Sequence, residues 1–159
     1  MKFNSTFLTA VSVIAVAAIG SFSLQSCETE GGCGETKISQ TGSNDSHNNG
    51  VNCQSCHKDG GEGEGCFNLC GSVYNRQSTS PLSNVTVKLY TEPQGAGELR
   101  FTLRGDARGN FYTTDDVAFS GLYASVTGPG GTPHYMSASL SSGSCNTCHG
   151  VSTDRLNAE

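Results

Sequence analysis

The pentapeptide Cys-x-x-Cys-His occurs twice in this chain, at Cys53-Gln-Ser-Cys56-His57 and at Cys145-Asn-Thr-Cys148-His149. The two copies bracket nearly all of the sequence that can form a core. The chain has need of a staple: of its 159 residues only 35% are apolar, 21 are Gly and none is Trp. That is lean for a self-sufficient hydrophobic core, and a covalent or metal-centred link would help it fold. The length suits a single domain once any targeting segment is removed.

Residues 1–26 read as an export signal. Lys2 gives a positive start, and Phe7 to Gly20 is an apolar run too short for a membrane span, which needs about 20 residues. Leu24-Gln25-Ser26-Cys27 resembles a bacterial lipobox. That resemblance implies that Cys27 becomes the acylated first residue of the mature protein, held to a membrane by its acyl chains. Glu28 and Glu30 resemble the surface-export signal of Bacteroidota lipoproteins. The expected location is therefore the bacterial outer membrane, on its periplasmic face or at the cell surface. The rival is a secretory signal cleaved elsewhere, with Cys27 in a disulfide; either way the cysteines meet an oxidising compartment. Loss of residues 1–26 removes one Lys and no acid, leaving 8 basic and 14 acidic residues, a net charge of -6. No basic footprint for nucleic acid is present.

Residues 27–46 are polar and rich in Gly, Ser and Asn, and read as a flexible tether. Residues 47–159 form the expected domain, with a first motif segment at 47–65, a β region at 66–140 and a second motif segment at 141–159. Within the β region, Val73 and Tyr74 suggest a first short strand. Val85, Val87 and Leu89 alternate with polar residues, as do Leu99, Phe101 and Leu103, and then Leu122, Ala124 and Val126. Phe111 to Thr113 starts another strand, and Met136, Ala138 and Leu140 make a last weak alternation. Turns are expected at Glu92–Gly97, Gly105–Asn110 and Gly128–Gly131. Period two with β-branched and aromatic residues predicts a mainly β fold, a small antiparallel β-sandwich with loop or short-helix segments at both ends. Gly71-Ser-Val73, Pro81 to Val87, Asp106 to Phe111 and Gly121 to Val126 resemble, in order and spacing, the carboxypeptidase-regulatory-like (transthyretin-like) sandwich domains. The resemblance implies a fold and no chemistry.

The chemistry lies in the pentapeptides. Two thiols two residues apart can bond the two vinyl groups of one porphyrin edge, and the histidine that follows supplies an imidazole nitrogen to the iron. With eight Cys and four His in the chain, chance gives about 0.01 such motifs per chain of this composition. Two are present, in an exported sequence, so two covalent c-type haems are expected, attached at Cys53, Cys56, Cys145 and Cys148, with His57 and His149 as proximal iron ligands. The rival readings are a four-thiolate zinc site made by the same four cysteines, or paired disulfides. Two His remain, His47 and His134, enough to fill both sixth coordination positions. Met136 competes with His134 and would raise the potential. Which spare His serves which haem stays open.

Cys33, Cys66 and Cys70 are left over. Four residues of extended strand span about 13 Å, so a Cys66–Cys70 disulfide needs a turn at Phe67-Asn-Leu69. That pairing is favoured on the view that Cys33 lies in a flexible tether, with Cys33 as the alternative partner. Arg104-Gly105-Asp106 matches an integrin-binding tripeptide but reads as an ordinary hairpin turn.

Ser46-His47-Asn48, the first motif, Gly60 to Gly65, the β region and the closing motif through Gly150 occur in the order seen in exported bacterial dihaem c-type cytochrome lipoproteins, which the chain resembles. The resemblance implies electron transfer with redox partner proteins in the cell envelope, no substrate and no enzyme activity; self-association is left open. Two alternatives belong to other classes. One is a haem enzyme or sensor with an open iron, peroxidase-like or gas-binding. The other is a non-haem binding or structural sandwich lipoprotein.

Overall fold

The computed structural model describes residues 33–159, so the export signal and Cys27 lie outside the described residues. The fold is mainly β, with two antiparallel sheets. Strands β1 (Leu69–Ser72) and β4 (Asn110–Thr113) form a two-stranded sheet. Strands β2 (Thr86–Tyr90), β3 (Leu99–Arg104), β5 (Tyr123–Thr127) and β6 (Pro133–Tyr135) form a four-stranded sheet in the order β3-β2-β5-β6. Among the described residues the only helical elements are three single 3-10 turns, at Cys53–Ser55, Pro93–Gly95 and Cys145–Thr147. None is long and apolar enough to cross a membrane.

The alternation expected of β2 takes physical form. Val87 and Leu89 are buried, while Thr86, Lys88 and Tyr90 are half-exposed. Successive side chains of a strand face opposite sides, so one face of β2 enters the core and the other stays wet. Val87, Leu89, Leu103 and Val126 of the four-stranded sheet pack on Leu69, Val73, Val85 and Phe111. β3 is an edge strand and buries Leu103 alone; Phe101 is half-exposed and Leu99 exposed. The turn at Gly105–Asn110 is organised by Asp106, which is fully buried and accepts hydrogen bonds through Oδ1 from the backbone N–H groups of Arg108 and Asn110. Arg104 ends β3 opposite Thr86, and Gly105-Asp106 opens a turn that carries the chain to β4 in the other sheet, so the expected turn is present but is not a hairpin.

Three expectations need correcting. The first strand is Leu69–Ser72, not Val73–Tyr74; those two residues follow it and are buried, Tyr74 bridging to Pro81 and Asn157. The last strand is Pro133–Tyr135, because it must lie opposite Ser125–Thr127; beyond it, the Met136 N–H donates to Ala124, and Leu140 bonds to the residues just before β5, its N–H to Leu122 and its carbonyl from the Gly121 N–H.

The third concerns the tether. Residues 37–39 run beside β4 and are fixed there. Ser39 N–H donates to the Tyr112 carbonyl at 2.9 Å and Thr114 N–H to the Lys37 carbonyl at 2.9 Å. Lys37 N–H in turn donates to Thr114 Oγ1, and Ser39 is buried. The segment has no apolar period, yet an edge held by backbone hydrogen bonds needs none, so residues 37–39 are not the flexible tether expected. Its fixed course brings Cys33 to Cys66, and these two form the disulfide, with Cα atoms 4.7 Å apart. The expected Cys66–Cys70 bond is not made. Cys70 lies inside β1, paired opposite Tyr112, and cannot turn back toward Cys66 without breaking the strand.

Candidate functional site

Both pentapeptides fold the same way. In each, the first three residues form a 3-10 turn, the second cysteine ends it at nearly the same dihedrals (φ −109°, ψ −40° at Cys56; φ −107°, ψ −49° at Cys148), and the histidine N–H donates to the carbonyl of the first cysteine. The turn leaves the four motif thiols unbonded to one another. Cys56 and Cys148 are exposed, while Cys53 and Cys145 turn inward against the sheet. No group of three or more His, Cys, Asp or Glu side chains among the described residues is arranged to hold a metal ion.

Each motif histidine is oriented by a backbone carbonyl. His57 Nδ1 lies 2.9 Å from the Glu64 carbonyl oxygen and His149 Nδ1 lies 3.0 Å from that of Asp154. A carbonyl only accepts, so in both rings Nδ1 is the donor, and the neutral imidazole then has its lone pair on Nε2. This is the arrangement found at metal-bound histidines, where the outer hydrogen bond fixes the tautomer and raises the basicity of the ligating nitrogen.

A cavity of about 570 Å³ opens beside the first motif, lined among others by His47, Cys53, Cys56, His57, Phe67 and Tyr112. The His57 ring stacks on Phe67 at 4.0 Å, and Phe67 stacks on Tyr112 at 4.7 Å. The His47 ring centroid is 5.9 Å from that of His57. A second cavity, of about 440 Å³, lies beside the second motif and is lined among others by His134, Met136, Cys145, Cys148 and His149. Both volumes fall in the range of about 300–1,000 Å³ usual for cofactor sites. The structure thus sorts the spare side chains by site, His47 with the first motif and His134 and Met136 with the second. Free thiol pairs, a histidine with an open Nε2 and an adjoining cavity form a donor set that suits a covalently held haem in both places.

The two motifs meet across β1. Asn52, which caps the first turn, accepts a hydrogen bond from Ser144 Oγ at 2.5 Å and another from Gln54 N–H at 3.0 Å. Asn146, inside the second turn, donates from Nδ2 to the Val51 carbonyl at 2.9 Å and to Ser72 Oγ at 3.1 Å, and accepts from Ser72 N–H at 3.1 Å. Cys70 projects between the motifs. Its hydrogen bond to Cys53 lowers the Cys53 thiol below its ordinary range and pushes Cys70 well above it. Desolvation pushes the Cys145 thiol up to about 12, so it is neutral at physiological pH. Sequence reading missed Asn52, Ser144 and Asn146, though a polar residue just before or within a turn is a capping signal that could have marked the first of them. The Glu64 and Asp154 carbonyls left no such signal, because any residue type supplies a carbonyl.

Comparison with protein-family models, with curated proteins and with solved structures returns no significant match.

Proposed function

We propose that this chain is a membrane-anchored dihaem c-type cytochrome that passes electrons in the cell envelope, with one haem at each pentapeptide. The observation that carries the reading is the repetition of one arrangement: a thiol pair, a histidine with Nδ1 given to a carbonyl, and a cavity holding a further histidine. A four-thiolate zinc site or a pair of disulfides calls for neither of the last two features. When bound, each haem would supply one-electron oxidation and reduction.

The chain's own residues would do the rest. Cys53 with Cys56, and Cys145 with Cys148, would hold the two groups covalently. His57 and His149 would ligate through Nε2. His47 would cap the first site and His134 the second, with Met136 the competitor there. Two protein ligands on each iron leave no position for a substrate, which is why the reading is a carrier and not an enzyme. Phe67 and Tyr112 would shield one face of His57 from water. Lipidation at Cys27 would keep the protein at the outer membrane, where its acidic surface would meet redox partner proteins of basic character.

The test is a mass and a spectrum of the exported protein. The mass is expected to show two covalent haems, and the oxidised spectrum two low-spin irons. His47→Ala is expected to turn one haem high-spin and His134→Ala the other. A high-spin signal in the unaltered protein that responds to carbon monoxide would replace the carrier with an open-iron enzyme or sensor. Absence of covalent haem mass would end both.

A further inference from the structure

The two motif histidines are oriented by the same bond, but the acceptors are held in different ways. Asp154, the acceptor for His149, is five residues away in a turn that closes on itself. Gly150 N–H donates to the Thr153 carbonyl at 2.9 Å, Thr153 N–H donates to that of Cys148 at 3.0 Å, and Thr153 Oγ1 lies 3.3 Å from His149 Nδ1. The loop that carries the acceptor for His57 is closed by the Gly61 N–H to the Lys58 carbonyl at 2.9 Å, the Gly63 N–H to that of Cys56 at 3.1 Å and the Phe67 N–H to that of His57 at 3.1 Å, but none of these bonds involves Glu64 itself. Glu64 sits near the end of a loop that contains Gly60, Gly61, Gly63 and Gly65, and a glycine-rich loop loses the most conformational entropy when it is ordered.

The ties on Glu64 and its neighbours come from outside the loop. Cys66, two residues past Glu64, is bonded to Cys33. The Glu64 side chain pairs with Lys37, Oε2 to Nζ at 2.6 Å. Gly65 lies against the same segment, so that a β-carbon there would stand 3.1 Å from Lys37 Cγ and 3.3 Å from the Glu35 carbonyl. Lys37 and Ser39 are themselves tied to β4. A disulfide, an ion pair and a backbone edge thus fix a carbonyl whose one polar partner is a ring nitrogen.

We infer that the segment Cys33–Ser39 is a clamp that positions the Glu64 carbonyl on His57 Nδ1 and so tunes the reduction potential of the first haem without touching the second. The inference rests on the haem reading above. A hydrogen bond at Nδ1 makes the imidazole a stronger donor, which favours the oxidised iron and lowers the potential. Loosening the clamp weakens that bond and raises it. The ion pair is exposed, and pairs of that kind contribute little, so most of the effect belongs to the disulfide.

The experiment compares the full-length exported protein with Cys33→Ala/Cys66→Ala, Lys37→Met and Lys37→Arg. Haem number is read by mass, both potentials by a spectroscopically followed redox titration, and the melting midpoint in parallel. Two haems are expected in each protein. One of the two potentials should move upward in the double variant, by less in Lys37→Met and not in Lys37→Arg, while the other potential stays. If both potentials stay while only the melting midpoint falls, the segment is a structural brace and the inference is overturned. A parallel shift of both potentials overturns it as well. A protein that never carried covalent haem would overturn the reading beneath it instead, and the mass of the unaltered protein tells these cases apart.

Discussion

At Gly63 the chain passes directly over the His57 ring. A β-carbon built there would lie 2.7 Å from Nδ1 and 2.8 Å from two ring carbons, closer than real β-carbons approach other atoms. Gly63→Ala must therefore push the ring off its hydrogen bond with Glu64 or move the loop. Overpacking of this kind costs about 1–3 kcal/mol, and urea unfolding of the exported protein should show a loss of that size. Gly34→Ala is the control, since nothing lies within 4 Å of its β-carbon position and it should be near neutral. The sequence marks residues 60–65 as a glycine-rich loop but cannot say which glycine is pinned, because that depends on where His57 folds back. The same limit applies to the disulfide. Spacing alone left Cys66 with two possible partners, and what decides between them is the hydrogen bonding of Lys37 and Ser39 to Tyr112 and Thr114, more than seventy residues away in the chain.

The strands differ in how plainly the sequence shows them. β2, β3 and β5 could be read from their alternation, since each has one face toward the core and one toward water. β1 could not, because all four of its residues, Leu69, Cys70, Gly71 and Ser72, are buried and there is no wet face to set a period. Leu69 and Gly71 neighbour the core and Phe111, with Gly71 also against Cys145, while Cys70 neighbours Cys53 and Ser72 bonds to Asn146. The edge position of β3 was also invisible, since Leu99 is as apolar as Leu89. The pair gives a direct check on the sheet order. Leu89 is fully buried in central β2, and Leu89→Ala should cost about 2–5 kcal/mol through lost burial and the cavity left behind. Leu99 is 46% exposed on the sheet edge, and Leu99→Ala should stay within about 0.5 kcal/mol of the parent. Denaturant midpoints at constant m-value measure both. Equal losses would mean that β3 is covered by something other than solvent.

On the scale of the whole molecule, the sequence put the motifs at opposite ends of the chain and the fold returns them to one strand. β1 is the meeting place. Cys70 N–H donates to the Gly143 carbonyl at 2.8 Å, and Cys70 bridges to Ser144. The side chains of Asn52, Ser72, Ser144 and Asn146, all but Asn52 buried, then make polar links between the two turns. Such a network is costly to leave half-made, since each buried unpaired group loses about 1–3 kcal/mol. It therefore holds the two turns in fixed register. If each pentapeptide carries a haem, the attachment edges of the two groups are neighbours, and electrons entering at one site have a short route to the other. Two ferric irons held close together also act on each other magnetically. The oxidised protein is therefore expected to show electron paramagnetic resonance signals that are broadened and relax faster than those of an isolated low-spin haem. Replacing Cys145, Cys148 and His149 together by Ala should leave one haem, and its signal should sharpen and relax slowly. Two signals in the unaltered protein that simply add, each matching its single-haem counterpart, would place the haems far apart and would sink the idea that β1 joins the two sites into one electron path.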